Sequence, residues 1–174
     1  MSAVIYPVHL VVQGRHIWIG WKSSDDPGDA LLKRHGTILW ADTKAVLMEK
    51  SWAIQDSFFF EGEVVYDFDA LLAKLVSREA VSCDEVINCW NLLIDIGGSL
   101  GAGFGSLHDV NDASFSNSYD RFFSATTGGG IVNFGFYDIE DMDLKNAVDV
   151  VSNGMAMLLN VVDARVGHKP SSWS

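Results

Sequence analysis

The chain has 174 residues, and 48% of them are apolar, which is enough material for the core of a single domain. Its 23 acidic residues outnumber the 12 basic ones and give a formal net charge of −11 at neutral pH. Because such a surface repels both nucleic acid and anionic lipid, the charge excludes them as general binding partners. The composition therefore predicts an acidic, soluble, globular protein.

Sequence features that would direct the protein out of the cytoplasm are missing. The first residues, MSAVIYPVHLVV, have neither a basic n-region nor a small-residue cleavage site, and no stretch approaches the roughly 18 apolar residues that span a bilayer. Cys83 and Cys89 lie six residues apart, a spacing that matches neither a CxxC redox motif nor a zinc-binding pair. We therefore expect a cytoplasmic protein with two reduced thiols.

The first third of the chain has the pattern of β-strands. Residues 3–12 form a β-branched run, and Pro7 within it predicts an edge strand or a bulge, because proline cannot donate to a sheet ladder. Gln13 and Gly14 predict a tight turn into a second strand over 15–22, where apolar residues alternate with others. Further predicted elements are a strand at 37–41, a short helix or strand at 43–49, and a hairpin made of 58–60 and 63–68.

The next segments have the spacing of helices. Asp67 or Asp69 can cap a helix that carries three leucines between 71 and 75. The helix that follows is amphipathic, because its apolar and polar residues fall on opposite stripes. The apolar stripe contains Val86, Trp90, Leu93, Gly97 and Leu100, and the polar stripe contains Asp84, Asn88, Asn91 and Asp95.

The last third combines loop-like composition with helical spacing. A long loop rich in glycine, serine, asparagine and aspartate is predicted over 97–118, followed by a short helix at 118–124 and a strand at 131–137. From Leu144 to Val162, apolar residues step by three and four, which predicts a long C-terminal helix.

Strands followed by helices indicate an α+β fold, in which an antiparallel sheet of mostly N-terminal strands packs against C-terminal helices. The sequence contains no internal repeat and no linker, so we expect a single domain over 1–174. Within it, residues 1–68 are predicted to be β-rich, 69–165 helix-rich, and 166–174 a frayed tail.

Three segments resemble chemical motifs, and each has a simpler structural explanation. The glycine cluster at 97–105 follows a helix and has no lysine or arginine for a phosphate, so helix termination explains it better. Asp67-x-Asp69 resembles the nucleophile motif of haloacid-dehalogenase-type phosphatases, but it lies mid-chain and suits helix capping. The segment from Asp109 to Asp112 resembles an EF-hand start without the required glycine. We therefore expect no catalytic residues, no metal and no cofactor.

Acidic residues are concentrated in the second half of the chain. Between Asn88 and Asp163 there are ten acidic and two basic residues, and four of the acids fall within 138–143, at the start of the last helix. The positive end of a helix dipole favours carboxylates, which accounts for part of this cluster. A docking surface for a basic partner is the sharper interpretation, because complementary charge speeds encounter. The candidate contact residues are Asp109, Asp112, Asp138, Glu140, Asp141 and Asp143.

Several segments of the second half are similar to a known class of small bacterial proteins. The runs CWNLLIDIGGSL (89–100) and YDRFF (119–123), with YDFDALLAKL (66–75) before them and the acidic start of the last helix, resemble immunity proteins. These proteins protect cells against the toxins of contact-dependent growth inhibition and related polymorphic toxin systems. The resemblance covers residues 60–160, and the glycine-rich region after YDRFF matches no family motif. It implies a small, cytosolic, non-enzymatic protein that covers the active site or substrate surface of a toxin domain, frequently a basic nuclease.

The leading hypothesis is a non-enzymatic immunity protein that neutralises a cognate toxin domain through its acidic surface. Its partner is a protein, with no direct binding to nucleic acid or membrane. One alternative is a small enzyme or ligand-binding domain with the glycine-rich loop 97–105 as a lid, which requires His108, Cys89 and Asp95 to converge. Another alternative is a structural or adaptor module that self-associates through an exposed strand edge.

Overall fold

The computed structural model describes residues 3–23, 30–53, 58–60, 62–100, 113–126, 131–132 and 139–166. Its strands are β1 (Ala3–Val12), β2 (Arg15–Ser23), β3 (Ala30–Leu31), β4 (Lys33–Arg34), β5 (Thr37–Ile38), β6 (Trp40–Ala41), β7 (Phe58–Phe60), β8 (Val64–Asp67), β9 (Val81–Ser82) and β10 (Ile131–Val132). Its helices are α1 (Lys44–Trp52), α2 (Phe68–Ser77), α3 (Cys83–Leu100), α4 (Ala113–Thr126) and α5 (Asp141–Val166). The predicted α+β fold class is confirmed, since a sheet of N-terminal strands packs against mostly C-terminal helices.

The first two strands form the predicted hairpin. Gln13 and Gly14 both have positive φ angles, 48° and 71°, as a two-residue type I′ turn requires. The backbone N–H groups of these two residues donate to the carboxylate of Asp69, at 2.6 and 2.7 Å. The other candidate cap, Asp67, accepts from the N–H of Ala70 and begins α2. Asp69 therefore ties the turn to α2, while Asp67 caps the helix.

The prediction that Pro7 marks an edge strand or a bulge is wrong. β1 pairs with β2 in one unbroken register and, on its other side, with β7 and β8. The β7 pairing ends at Ile5 opposite Phe60, and the β8 pairing begins at Val8 opposite Val64. Pro7 lies in the gap between these two partners, where a missing N–H removes no bond to either strand. A central strand can therefore contain this proline.

The predicted hairpin of residues 58–60 and 63–68 does not form. Both β7 and β8 run parallel to β1, so they follow each other along the same side of it instead of turning back. Gly62, between them, has a φ of 63°. The sheet is therefore mixed rather than antiparallel throughout: β2 is antiparallel to β1, and β7 and β8 are parallel to it.

The segment 43–49, for which the sequence allows either a helix or a strand, is helical. Thr43 accepts a hydrogen bond from the N–H of Val46 through its side chain and thereby caps α1, which decides between the helix and strand expectations for 43–49. The strand predicted at 37–41 is divided into β5 and β6, with Leu39 buried between them. β6 joins the main sheet through β2, so α1 is placed directly beside the sheet.

One hydrophobic core joins the sheet to the helices. Val8 and Leu10 of β1 belong to the same buried cluster as Phe68 of α2, Trp90 of α3 and Val151 of α5. Residues from both halves of the chain therefore share this core. Side chains alternate along β1, so its other residues face the opposite side of the sheet, where α1 covers a smaller cluster. That cluster contains Ile5, Leu32, Leu39, Ala41 and Leu47.

The amphipathic pattern of α3 is confirmed, but the loop predicted over 97–118 is wrong at both ends. α3 continues through Gly97 and Gly98 to Leu100, and α4 begins at Ala113 instead of 118. A glycine costs a helix about 1 kcal/mol relative to alanine, and the tertiary contacts of α3 outweigh this cost. Residues 101–112 lie outside the described part of the chain.

The long C-terminal helix is confirmed as α5, and its apolar residues from Leu144 to Val162 enter the core. The last predicted strand is present as β10, which pairs with β9. The remainder of the predicted strand and residues 167–174 of the predicted tail lie outside the described residues.

Candidate functional site

The six predicted contact residues have different surroundings. Asp109, Asp112 and Asp138 lie outside the described part of the chain. Glu140 and Asp141 are exposed at the start of α5, where Arg121 is 3.2 Å from Glu140 and Arg78 is 2.9 Å from Asp141. Exposed ion pairs of this kind contribute about 0–1 kcal/mol, so a cation of a partner can replace either arginine at low cost.

Asp143 is buried and bonded within the protein. Its carboxylate accepts hydrogen bonds from the Ser118 hydroxyl at 2.7 Å, from Arg121 at 2.8 Å and from the Glu140 N–H at 2.8 Å. Asn146 donates in turn to the Ser118 hydroxyl oxygen at 2.9 Å. The bond from the Glu140 N–H to Asp143 caps the start of α5, where this N–H has no acceptor within the helix. The bonds from Ser118 and Arg121 attach α4 to α5. Asp143 therefore holds two helices together instead of facing a partner.

A second acidic surface lies on the exposed side of α3 and the adjoining part of α4. It contains the carboxylates of Asp84, Asp95 and Asp120, with Asn88 and Asn91 between them, and we call these five residues the α3 acidic face. Within the described residues, no lysine, arginine or histidine forms an ion pair with any of the three carboxylates. This surface therefore offers a partner negative charge that has no cation bonded to it.

Four residues of the α3 acidic face, Asp84, Asn88, Asn91 and Asp95, are predicted from the sequence as the polar stripe of an amphipathic helix, and Asp120 is not among them. A stronger signal was present, because no lysine or arginine occurs between Arg78 and Arg121. The carboxylates of α3 therefore have no lysine or arginine within their own helix to pair with. Counting acidic residues alone favoured the start of α5, where arginines approach from α2–α3 and α4.

The Asp95 carboxyl group is partly shielded from solvent. Partial burial raises the pKa of Asp95, because desolvation disfavours the charged form. A cationic group placed beside it would replace part of the lost hydration. The neighbouring Ile94 side chain is 43% exposed, so apolar contact is available next to the charge.

Two clefts lie on either side of α3. The β8–α3 cleft has a volume of about 320 Å³ and is lined by 64–67 from the strand and by Glu85, Asn88 and Cys89 from the helix. The α3–α4 cleft has a volume of about 260 Å³, and its lining includes Asn91, Ile94, Tyr119 and Asp120. The Tyr119 hydroxyl donates to the Asn91 side-chain oxygen at 2.9 Å. The polar side of α3 is thus a ridge between two grooves.

The enzyme alternative requires a reactive group in this region. Cys89 is buried, and burial together with the charges of Glu85 and Asp67 raises its pKa to about 12. A thiol with this pKa is protonated at neutral pH and is a poor nucleophile. His108, the third residue of the suggested trio, lies outside the described residues. The described part of the trio therefore supplies no activated nucleophile.

A pair of histidines lies on the sheet face opposite the main core. The ring nitrogens His9 Nε2 and His16 Nδ1 are 2.9 Å apart, so one of the rings donates a hydrogen bond to the other. Trp18 stacks on His9 with 4.4 Å between ring centroids. Burial and the proximity of His16 lower the pKa of His9, against the opposing effect of Glu63 and Asp67. His9 is therefore protonated less readily than a free imidazole.

We expect acidification to destabilise the protein through His9. Because the pKa of His9 is lower in the folded than in the unfolded protein, its contribution is present above the unfolded value of about 6.5 and is lost as the pH falls through the folded value. The free energy of unfolding, measured with urea at pH 7.5, 6.5 and 5.5, should decrease over this range. His9→Gln should reduce the decrease. His35→Asn, a change in an exposed turn, should leave it as in the parent, and equal slopes for the two variants would contradict the assignment.

Metal binding and membrane insertion can be addressed for the described residues. Among them, no three histidine, cysteine, aspartate or glutamate side chains come together as ligands of a metal ion would. The EF-hand-like segment from Asp109 to Asp112 is outside them. None of the helices that the structure describes combines the length and apolarity needed to cross a membrane.

Comparison with known proteins found no relative. No protein-family model matches the chain. No curated protein and no solved structure matches it either. Function is therefore inferred from the residues and contacts of this chain itself.

Proposed function

We propose that the chain is a non-enzymatic immunity protein of the cytoplasm that binds a cognate toxin domain and neutralises it through an acidic surface. The observation that carries this proposal is the α3 acidic face: Asp84, Asp95 and Asp120 are exposed and have no paired cation among the described residues. The two clefts beside it give this surface a shape that a specific partner can complement. The resemblance of residues 60–160 to immunity proteins supports the same function.

The electrostatics favour a basic partner, such as a nuclease domain. A nuclease binds a polyanion, so its substrate surface is rich in lysine and arginine. Carboxylates placed against that surface attract it and occupy the positions of phosphates. Complementary charge can raise association rates from about 10⁵–10⁶ to about 10⁸–10⁹ M⁻¹s⁻¹ at low salt. Rapid capture suits a protein that must block a toxin before the toxin acts.

The exposed start of α5 forms the second part of the proposed surface. Glu140 and Asp141 remain accessible beside Arg121 and Arg78, and they lie near the end of the segment that resembles immunity proteins. Asp109, Asp112 and Asp138 keep their place as candidate contacts on sequence grounds. Asp143 is assigned a structural role.

The proposal is tested by capture of the partner in the native host. Tagged protein is recovered together with the product of the gene immediately upstream, which is expressed in the same cells. We expect a stoichiometric complex with the C-terminal part of a large secreted protein. If the upstream product is expressed but the tagged protein is recovered alone, the immunity function is contradicted.

Charge reversal on the α3 acidic face should slow binding to the captured partner. The triple variant Asp84→Lys, Asp95→Lys, Asp120→Lys is expected to reduce the association rate at low salt by about tenfold or more and to flatten its salt dependence. The control is Asp42→Lys with Glu49→Lys, which reverses exposed acids at and near α1. Stopped-flow measurement at several salt concentrations gives both quantities. Equal rates for the triple variant and the control would show that another surface makes the contact.

A further inference from the structure

β8 has one side of its backbone without a partner strand in the described structure. It pairs with β1 on one side only, through four residues from Val64 to Asp67. No strand among the described residues lies on its other side. In a parallel pairing, alternate residues direct their N–H and C=O groups away from the neighbour, so β8 presents backbone donors and acceptors on its free side.

The β8–α3 cleft runs along this free side. All four residues of β8 line it, although successive side chains of a strand point to opposite faces. A groove that touches four consecutive residues must therefore follow the backbone edge. Val64 and Val65 are also exposed, with relative accessibilities of 41% and 55%. An exposed apolar edge of this kind is a template for strand addition.

The acidic residues in and near the β8–α3 cleft indicate which kind of segment can bind there. Asp67 ends the strand side, Glu85 lies on the helix side, and Asp95 is further along the same helix. Lys74 is bonded to Glu85 at 3.1 Å but is the only described cation paired with these three acids. A second copy of β8 would bring another set of carboxylates to the same groove, so charge disfavours self-association here.

We infer that β8 is a docking edge, to which a partner protein adds an extended basic segment as a further strand. Main-chain hydrogen bonds to the free side of β8 provide affinity, and lysine or arginine side chains in the β8–α3 cleft provide selectivity. The inference rests on the proposed function for the nature of the partner. It extends that function by defining which element is bound and in which conformation.

A simple peptide tests the docking edge on the full chain. The probe is a blocked octapeptide of alternating lysine and valine, added to ¹⁵N-labelled protein. We expect shift changes confined to 64–67 and 85–89, and at least tenfold slower amide exchange for the outward-facing amides of β8. The same peptide with N-methyl groups on alternate residues cannot donate along one edge, and we expect it to bind at least tenfold more weakly.

Two matched double variants test the role of charge. Glu85→Gln with Asp95→Asn removes two acids near the cleft and should weaken peptide binding about tenfold. Asp120→Asn with Asp141→Asn removes two exposed acids that do not line this cleft and should change binding less than threefold. Thermal unfolding confirms that both variants are folded.

The outcomes separate the docking edge from the proposed function. Absence of peptide binding, equal binding of the N-methylated peptide, or shifts confined to the α3–α4 cleft would overturn the docking edge. If the captured toxin domain binds without protecting the amides of β8, strand addition is wrong and the immunity function stands. If the peptide protects the amides of β8 but no toxin domain is captured, the docking edge is supported and the immunity function is contradicted.

Discussion

Asp143→Ala is expected to lower the free energy of unfolding by about 3 kcal/mol. The change leaves the Glu140 N–H without its acceptor, leaves the Ser118 hydroxyl with the Ser114 carbonyl alone, and removes the buried partner of Arg121. Hydrogen bonds to charged groups contribute about 1.5–3 kcal/mol each, and the three bonds to Asp143 are of this kind. The Arg121 side chain is 38% exposed and keeps Glu140 as a partner, so the lower end of that range applies to its bond.

The neighbouring Asp141 provides the control for this prediction. It is also an aspartate in the first turn of α5, but its side chain is 83% exposed and, among the described residues, is bonded to Arg78 alone. Asp141→Ala should change the free energy of unfolding by less than about 0.5 kcal/mol. Urea unfolding at pH 7 compares the two variants. Similar losses of stability in both would mean that Asp143 does not anchor α4 to α5.

Gly154→Ala is expected to destabilise the protein by about 2 kcal/mol, although alanine is the better helix former. A Cβ at this buried position of α5 would lie 2.5 Å from both methyl carbons of Leu93, which is itself fully buried in α3. Overpacking of this kind costs about 1–3 kcal/mol, more than the helix gains from alanine. α3 and α5 approach closely at this point because position 154 has no side chain.

The same substitution at Gly98 provides the contrast. A Cβ there meets no atom within 4 Å, so Gly98→Ala should leave stability unchanged or raise it by up to about 1 kcal/mol. A double-mutant cycle with Leu93→Ala completes the test, because shortening Leu93 makes room for the new methyl group. The double variant should be more stable than the sum of the single effects by at least about 1 kcal/mol. Additive effects would contradict a direct clash.

Local periodicity predicted most of the fold. The hairpin at Gln13–Gly14, the amphipathic α3 and the long α5 follow from residues close in sequence, and all three are present. The direction of β8 could not be predicted from local residues, because a two-residue break between apolar runs is compatible with either a reversal or a continuation of the chain. Only pairing with β1, more than fifty residues away, makes β8 parallel. The place of Pro7 depends on the same distant pairing.

The candidate site was predictable in kind but not in position. The excess of acidic residues and the cluster at 138–143 were evident from the sequence. The burial of Asp143 was not, since it depends on Ser118 and Arg121 of another helix. The free side of β8 was also beyond prediction, because a strand edge is defined by which partners are present and not by its own residues. The position of Asp95 near the β8–α3 cleft is evident only when α3 is placed beside β8.

The bond between Asp69 and the first turn has a consequence for how the sheet is aligned. Sliding β2 by one residue along β1 would turn every core side chain of β2 to the opposite face. The same slip would change which two amides lie at the tip of the turn and would withdraw them from the carboxylate. The two bonds to Asp69 therefore favour one register of the hairpin, the register in which Gln13 and Gly14 form the turn beside α2.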